Sequence, residues 1–218
     1  MPVQRSLSVS RDGNQILIRG DLGIQDVRRV LAVLNAAIIQ RGHRQIQLNF
    51  SNCTTAFSGA MLPICAQVLK FQLSGVEFFL ELPIDPRLNK LFLNTNWAFL
   101  IAPSDYSAAI HSPLSRQFPA TRYGTHEEQE EKLNELLECL LSVIPNFSRA
   151  AFASVEWALN EITDNVLNHS QSDVGGLLQL SVFDLRTSRV EFTVADAGLG
   201  VPLTLRTSIT SLATDADA

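Results

Sequence analysis

Residues 160–170, "NEITDNVLNHS", decide how the second half of this chain folds, because they set polar groups into an apolar helical pattern. Apolar residues step by three and four positions before and through this stretch: Phe152, Val155, Leu159, Ile162 and Val166. The spacing predicts a helix that begins near Ser148 and buries this stripe. A second stripe contains Glu161, Asn165 and either Asn168 or His169, and helical geometry places it roughly 100° around the axis from the first.

The polar stripe has two interpretations. A solvated helix face carries the same residue types, and the spacing alone favours that interpretation. The alternative is a site for a hard cation carried by a phosphate ligand, because Mg²⁺ accepts an Asn165 carbonyl and takes other ligands from phosphates. Glu161, one turn earlier, would then orient or deprotonate the attacking group. His169 is interpreted as a favourable charge at the helix end and is left out of the catalytic set.

A second motif, "VADAGLG" at 194–200, ends a predicted strand with Asp196, Gly198 and Gly200. Glycines allow a backbone to approach a ligand closely. An aspartate at a strand end can accept hydrogen bonds from an exocyclic amine, such as the N6 amine of adenine. Taken alone, the motif is also that of an ordinary Gly-rich turn after a strand.

Together, in this order and at this separation, the two motifs resemble the ATP-binding domain of the superfamily that contains histidine kinases, Hsp90, MutL and gyrase. The pattern of Glu161, Asn165 and His169 is closest to the anti-sigma-factor serine kinase branch. The resemblance implies that the cofactors are ATP and Mg²⁺. It implies that Asn165 ligates the Mg²⁺ carried by the ATP phosphates and that Glu161 is the catalytic carboxylate.

The same resemblance implies that Asp196 binds adenine and that Gly198 and Gly200 shape the pocket. The family continues with a mobile lid and a second Gly-rich stretch at the phosphates. Here "VPLTLRTSITSLATDADA" follows, without a GxGxG pattern, so fewer backbone N–H donors are offered to a triphosphate. We expect the 218 residues to be a fragment of a longer protein rather than a degenerate domain.

The first half alternates strands and helices. "LSVSRDGNQILIRG" predicts a hairpin with Asp12-Gly13 in its turn. One helix is predicted to stop at Gly42, a second covers 58–73 and a third begins at Pro86, with strands in "RQIQLNF" and "GVEFFLELP". Two strands followed by alternating helix and strand imply an α/β layer with some parallel pairing.

The segments "ILIRGDL", "IQLNFSNCTTAFSGA" and "GVEFFLEL" resemble a STAS domain, the fold of anti-sigma-factor antagonists. That resemblance implies a protein partner bound through this half. In regulated members a D-S-S-G motif opens the second helix, and its first Ser is phosphorylated. Here Phe57 stands at the acceptor position and Ser58 is interpreted as a helix N-cap, so we expect no phosphorylation switch in this half.

No period is sustained over 101–124, which we predict to be a linker between a STAS-like domain at 1–100 and an ATP-binding domain at 125–218. Thr125 and Glu128 form a predicted capping box at the first helix of the second domain. "LLQLSVFDL" and "RVEFTVAD" predict an antiparallel strand pair. The predicted fold class is therefore α/β (α+β): a STAS-like domain followed by an incomplete Bergerat-type α/β sandwich.

The composition narrows the partners and the location. The chain is 46% hydrophobic and has a formal net charge of −5, which argues against nucleic acid as the main partner. Cys53, Cys65 and Cys139 form no CxxC pair, which predicts a reducing compartment and no cysteine metal site. The sequence shows neither a signal-peptide pattern nor a membrane-spanning run, so we expect a cytoplasmic protein without a membrane span.

Two functions are in competition at this stage. The first is an ATP-binding regulator, a nucleotide-dependent switch, ATPase or protein kinase, with an attached STAS-like interaction module. The second is a non-enzymatic interaction protein in which the nucleotide fold serves as scaffolding. The residues leave open whether ATP is hydrolysed, transferred or only bound, and they do not determine the oligomeric state.

Overall fold

The computed structural model describes residues 6–110, 117–144, 148–184 and 189–199. Helices and strands are mixed in it, which confirms the predicted α/β class. The strands are β1 (Ser8–Asp12), β2 (Gln15–Leu22), β3 (Gln45–Asn49), β4 (Cys53–Ala56), β5 (Glu77–Glu81), β6 (Gln117–Tyr123), β7 (Gly176–Asp184) and β8 (Arg189–Asp196). The helices are α1 (Val27–Asn35), α2 (Ser58–Leu73), α3 (Pro86–Asn94), α4 (Trp97–Ile101), α5 (His126–Val143) and α6 (Arg149–His169).

The first sheet has the strand order β1-β2-β3-β5, and β4 pairs with the C-terminal part of β2. Strands β1 and β2 form the predicted antiparallel hairpin, whereas the β2–β3, β2–β4 and β3–β5 pairs are parallel. Gly13 takes a φ of +58° in the turn. Asp12 still pairs with Gln15, so the turn is Gly13-Asn14 rather than the predicted Asp12-Gly13.

Helix α2 is buried on more than one side. Its buried residues are Ser58, Ala60, Met61, Leu62, Ile64, Cys65, Ala66, Val68 and Phe71. Consecutive buried positions leave no single apolar stripe of the kind that a surface helix shows. The cause is its position, because α2 packs against α1, α4 and β5 of the first half and also against β7 and β8 of the second.

The N-terminus of α2 differs from the prediction. Phe57 holds the N-cap position with an extended backbone, φ −128° and ψ 157°, and Ser58 is the first helical residue. The Ser58 hydroxyl donates to the Glu191 carboxylate and accepts from the Thr193 hydroxyl at 3.0 Å. The N-cap interpretation of Ser58 is therefore wrong, because the partners of this hydroxyl lie on β8, far away in sequence.

The second sheet has the order β6-β7-β8, with both pairs antiparallel. Helices α5 and α6 cover one face, where they bury a cluster that includes Leu178, Leu180 and Phe192. The other face meets α2, and its Leu177 and Ala195 belong to the core of the first half. Because side chains alternate along a strand, β7 and β8 turn one face to each half of the chain.

The interval 101–124, predicted to be a linker, contains strand β6. That part of the linker prediction is wrong. The sequence pattern did not reveal this strand because its register shifts between Phe118 and Thr121, around Pro119. The shift interrupts the alternation of apolar and polar residues that is typical of a strand. Backbone and side chain both tie β6 to the first half: Ala120 N–H donates to Thr95 O at 3.0 Å, and Asn96 Nδ2 donates to Ala120 O at 3.0 Å. Residues 111–116 lie outside the described residues.

Two further features of the described residues are the state of the cysteines and the character of the helices. Cys53, Cys65 and Cys139 are buried, and none of them is in a disulfide. Burial raises the pKa of the Cys65 thiol, which keeps it protonated in the core. Among the described helices, none is long and apolar enough to cross a membrane.

Candidate functional site

The two helices of the second half begin at polar caps. Thr125 Oγ1 accepts the Glu128 N–H at 3.2 Å, which confirms the first half of the predicted capping box at α5. The Glu128 carboxylate accepts from Gly124 N–H at 2.6 Å, one residue before the position that a standard box uses. At α6, Ser148 Oγ accepts the Ala151 N–H at 3.1 Å, so this helix begins where the pattern predicts.

The buried face of α6 differs from the predicted apolar stripe at one position. Leu159, Thr163 and Val166 are buried, whereas Ile162 is 47% exposed. Thr163 can replace an apolar residue in the core because its hydroxyl is paired: it donates to Leu159 O at 2.8 Å and accepts from Gln129 Nε2 at 2.7 Å. The prediction that Ile162 is buried is therefore wrong.

This rotation of the buried face also moves the predicted polar stripe. With Thr163 rather than Ile162 inside, Glu161 and Asn165 point about 130–170° away from the core instead of about 100°. Both side chains are exposed, and neither forms a hydrogen bond or ion pair with another described residue. Trp157 lies one turn before Glu161 and is 67% exposed, so an aromatic ring continues the stripe.

Asp196 ends β8 and begins a tight turn. Its Oδ1 accepts the Gly198 N–H at 2.7 Å, which restrains the carboxylate. Its Oδ2 receives no hydrogen bond from a described residue. The turn then reaches the end of α6, where Leu199 N–H donates to Ser170 O at 2.8 Å.

Gly198 is required by this packing. A Cβ at position 198 would lie 1.9 Å from Ser170 O, a distance that no real structure tolerates. The turn can therefore rest on the C-terminus of α6 only with glycine here. The structure thus brings Gly198 and Leu199 against the end of the helix that carries Glu161 and Asn165. Among the described residues, no hydrogen bond or ion pair joins Asp196 to Glu161 or Asn165. Gly200, the remaining predicted pocket residue, lies outside the described residues.

Tyr123 links β6, α6 and the Asp196 turn, and the sequence interpretation missed it because it fell in the predicted linker. Its buried hydroxyl donates to Thr163 O at 3.3 Å. Burial raises the pKa of Tyr123, and the negative charges of Asp196 and then Asp164 raise it further. The Asp196 carboxylate therefore interacts electrostatically with the hydroxyl of Tyr123, which is hydrogen-bonded to α6.

Other polar groups of 160–170 hold α5 and α6 together. Gln129 Nε2 donates to Asp164 Oδ1 at 2.8 Å, in addition to its bond to Thr163. His126 Nδ1 lies 3.2 Å from Gln129 Oε1 and 3.6 Å from Asp164 Oδ1. The polar richness of this helix therefore has two sources: Thr163 and Asp164 join the helices, and Glu161 and Asn165 face outward.

Two of the grooves on the described surface lie in or beside the second half. One, of about 290 Å³, lies between α5 and α6 and is lined by residues that include Glu130, Glu156 and Asp164. The other, of about 750 Å³, lies where the halves meet, beside Phe57 and Phe192. Neither groove is lined by Glu161, Asn165 or Asp196. Glu161 and Asn165 are exposed on the outer side of α6, whereas Asp196 is partly buried at the end of β8.

The oxygen atoms of Glu161, Asn165 and Asp196 are of the types that the predicted ligand needs. Exposed carboxylate and amide oxygens are the groups that Mg²⁺ prefers, and an unoccupied Asp196 oxygen can accept from an exocyclic amine. No protein-family model matches the sequence, and no curated protein matches it.

Proposed function

We propose that this chain is an ATP-binding regulatory protein, with a histidine-kinase-like nucleotide half joined to a STAS-like interaction half. The observation that carries the proposal is the packing of the Asp196–Gly198 turn on the C-terminus of α6, sealed by the Leu199 N–H bond to Ser170 O at 2.8 Å. It joins the two motifs on which the resemblance depends.

The adenine end of the site is assigned to Asp196. Its Oδ1 is held by the Gly198 N–H, and its Oδ2 is available to the N6 amine of the base. A carboxylate fixed in this way discriminates for an exocyclic amine, because a base with a carbonyl at that position would present a second acceptor. Adenine is therefore preferred over guanine in the proposed site.

The phosphate end is assigned to α6. Asn165 offers a carbonyl oxygen to Mg²⁺, which takes its remaining ligands from the ATP phosphates and from water. Glu161, one turn earlier on the same exposed face, orients or deprotonates the group that attacks the terminal phosphate. Whether that group is water or a protein hydroxyl decides between an ATPase and a kinase, and the described residues do not separate the two.

The first half supplies the interaction module in this proposal. Three buried thiols outside disulfides fit the reducing compartment that the proposal assumes, the cytoplasm. The second candidate function is a non-enzymatic interaction protein. It is favoured by the groove between the halves, where Ile24 and Phe57 are 72% and 48% exposed at the rim.

Nucleotide binding separates the two functions. ATP is titrated calorimetrically into the 218-residue protein and into Asp196→Ala, each with and without Mg²⁺. The proposed function requires a saturable heat in the wild type and its loss in Asp196→Ala for ATP and ADP alike. Equal heats in the two proteins, or no binding by the wild type, would leave the interaction module as the better account.

A further inference from the structure

Helix α2 of the first half runs along strand β8 and is tied to it at both ends. At the start of α2, the Ser58 hydroxyl bonds to the Glu191 carboxylate and the Thr193 hydroxyl. Near its end, Lys70 Nζ donates to Ala197 O at 2.7 Å. From Ser58 to Lys70 the helix rises roughly 18 Å, and from Glu191 to Ala197 the strand rises roughly 20 Å. Helix and strand therefore lie side by side and point the same way.

The Lys70 bond falls on the turn that carries the proposed adenine contact. The carbonyl of Ala197 and the N–H of Gly198 belong to one planar peptide group. Lys70 holds the carbonyl end of that plane, and the N–H end donates to Asp196 Oδ1 at 2.7 Å. A single rigid unit thus connects an ammonium group of the first half to the carboxylate of the second.

This connection has an electrostatic consequence as well as a geometric one. A charged donor on a carbonyl oxygen polarises the amide and makes its N–H a better donor. The Gly198 N–H therefore binds Asp196 more firmly with Lys70 in place. The turn is also held by Leu199 N–H on Ser170 O, so Lys70 sets the orientation of the peptide without being needed to form the turn.

We propose that Lys70 is a positioning residue for the nucleotide site, orienting the Asp196 carboxylate through the Ala197–Gly198 peptide. The nucleotide part of this proposal rests on the proposed function, and the contact itself does not. One consequence is reciprocal: if docking of α2 improves nucleotide binding, then nucleotide binding stabilises the docking of α2 by the same factor. The interaction half thereby senses whether the nucleotide site is filled.

The chain offers matched variants for a test. Lys70→Met keeps the apolar stem and removes the donor, whereas Lys70→Arg keeps a charged donor. Ser58→Ala breaks the opposite end of the same α2–β8 contact, at a distance from Asp196. A role limited to holding the halves together predicts the same behaviour for Lys70→Met and Ser58→Ala.

The first measurement needs no nucleotide. Hydrogen exchange of the Gly198 and Leu199 amides is followed by NMR in the full chain. Loss of a charge-assisted hydrogen bond at the neighbouring carbonyl should speed exchange of Gly198 roughly tenfold in Lys70→Met. Lys70→Arg and Ser58→Ala should exchange like the wild type. Equal exchange in Lys70→Met and the wild type would overturn the proposal.

The second measurement is calorimetric titration of ATP and ADP, with Asp196→Ala as the reference for a lost adenine contact. Lys70→Met should weaken both nucleotides roughly tenfold, with an unchanged Mg²⁺ dependence, and Lys70→Arg should restore affinity. If Asp196→Ala loses binding while Lys70→Met binds like the wild type, the positioning proposal fails and the proposed function stands. If the wild type does not bind, the proposed function fails, and the exchange of Gly198 still decides whether Lys70 orients the turn.

Discussion

Helices α2 and α6 lie on opposite faces of the same three-stranded sheet and differ in how much of their surface is buried. Helix α2 is enclosed between two halves of the chain and is apolar almost all round, with Ser58 as its buried hydroxyl. Helix α6 buries one side and exposes Glu161 and Asn165 on the other, with Thr163 as its buried hydroxyl. Each buried hydroxyl is paired with residues of another element. Enclosure by the rest of the chain, not helix propensity, therefore decides which of the two helices keeps an exposed face.

The substitution expected to lower stability most is Gly198→Ala, which disrupts the contact between the Asp196 turn and α6. Gly198→Ala places a methyl group 1.9 Å from Ser170 O, a backbone atom that cannot swing aside. We expect the free energy of unfolding to fall by about 3 kcal/mol, measured by urea denaturation.

The matched control lies on α2. Gly59→Ala meets its nearest atom, Ile24 Cδ1, at 3.7 Å, which is ordinary contact. It should change stability by no more than about 0.5 kcal/mol, since alanine also favours the helix. Similar losses in both variants would show that the turn does not rest on α6.

The second prediction compares the two buried hydroxyls. Thr163→Val keeps the shape and removes the acceptor for one N–H of the buried Gln129 amide, whose other N–H still donates to Asp164, so we expect a loss of about 2 kcal/mol. Ser58→Ala leaves the half-buried Glu191, which water can reach, so we expect about 1 kcal/mol. Urea unfolding with an unchanged m-value measures both. A larger loss for Ser58→Ala would place the tighter polar contact on the α2 side instead.

The third prediction concerns alkaline pH and Tyr123, on the α6 side of the sheet. Its pKa is raised above the ordinary 10.0 by burial and by Asp196 and Asp164. The stability contributed by the protonated phenol is therefore complete below pH 10.0 and is lost as pH rises toward the folded-state pKa. Tyr123→Phe should remove a slope of up to about 1.4 kcal/mol per pH unit from the wild-type curve above pH 10.0. Parallel curves for the two proteins in that range would contradict the assignment.

The smallest expected change in stability comes from the exposed face of α6. Asn165→Ala should alter the free energy of unfolding by no more than about 0.5 kcal/mol. In the proposed function it should nevertheless weaken Mg-ATP binding while leaving metal-free nucleotide binding nearly unchanged, since Asp196 holds the adenine separately. Asn168→Ala, on the same exposed helix surface, serves as the control. A variant of Asn165 that keeps the full Mg²⁺ dependence is not missing a ligand, and the solvated-face interpretation would then hold.

Glu161 separates binding from turnover. In the proposed function, Glu161 acts mainly in the transition state, so Glu161→Ala should leave ATP and ADP affinity close to that of the wild type and abolish most of any phosphate release. Calorimetry and a phosphate-release assay measure the two quantities on the same sample. An affinity loss as large as that of Asp196→Ala would contradict the assigned roles.

Local features of this fold could be predicted from nearby residues alone. The bounds of α2 at 58–73, the start of α3 at Pro86 and the Thr125 cap of α5 all follow from residues close together in the chain. Helical periods, caps and a glycine with positive φ act within a few residues, so they can be seen without the fold. The ATP and Mg²⁺ assignments also come from the sequence motifs, and they stay predictions.

The hydrogen-bond partners of the buried polar groups could not be predicted from the sequence and are seen in the fold. Ser58 bonds to β8 instead of capping α2, and Thr163 displaces Ile162 from the core because Gln129 reaches its hydroxyl. Lys70 meets Ala197 although the two are separated by most of the chain. The cause is the same in each case. A polar group is stable in a core only when it is hydrogen-bonded. Here its partner belongs to another element of the fold, which no local sequence pattern reveals.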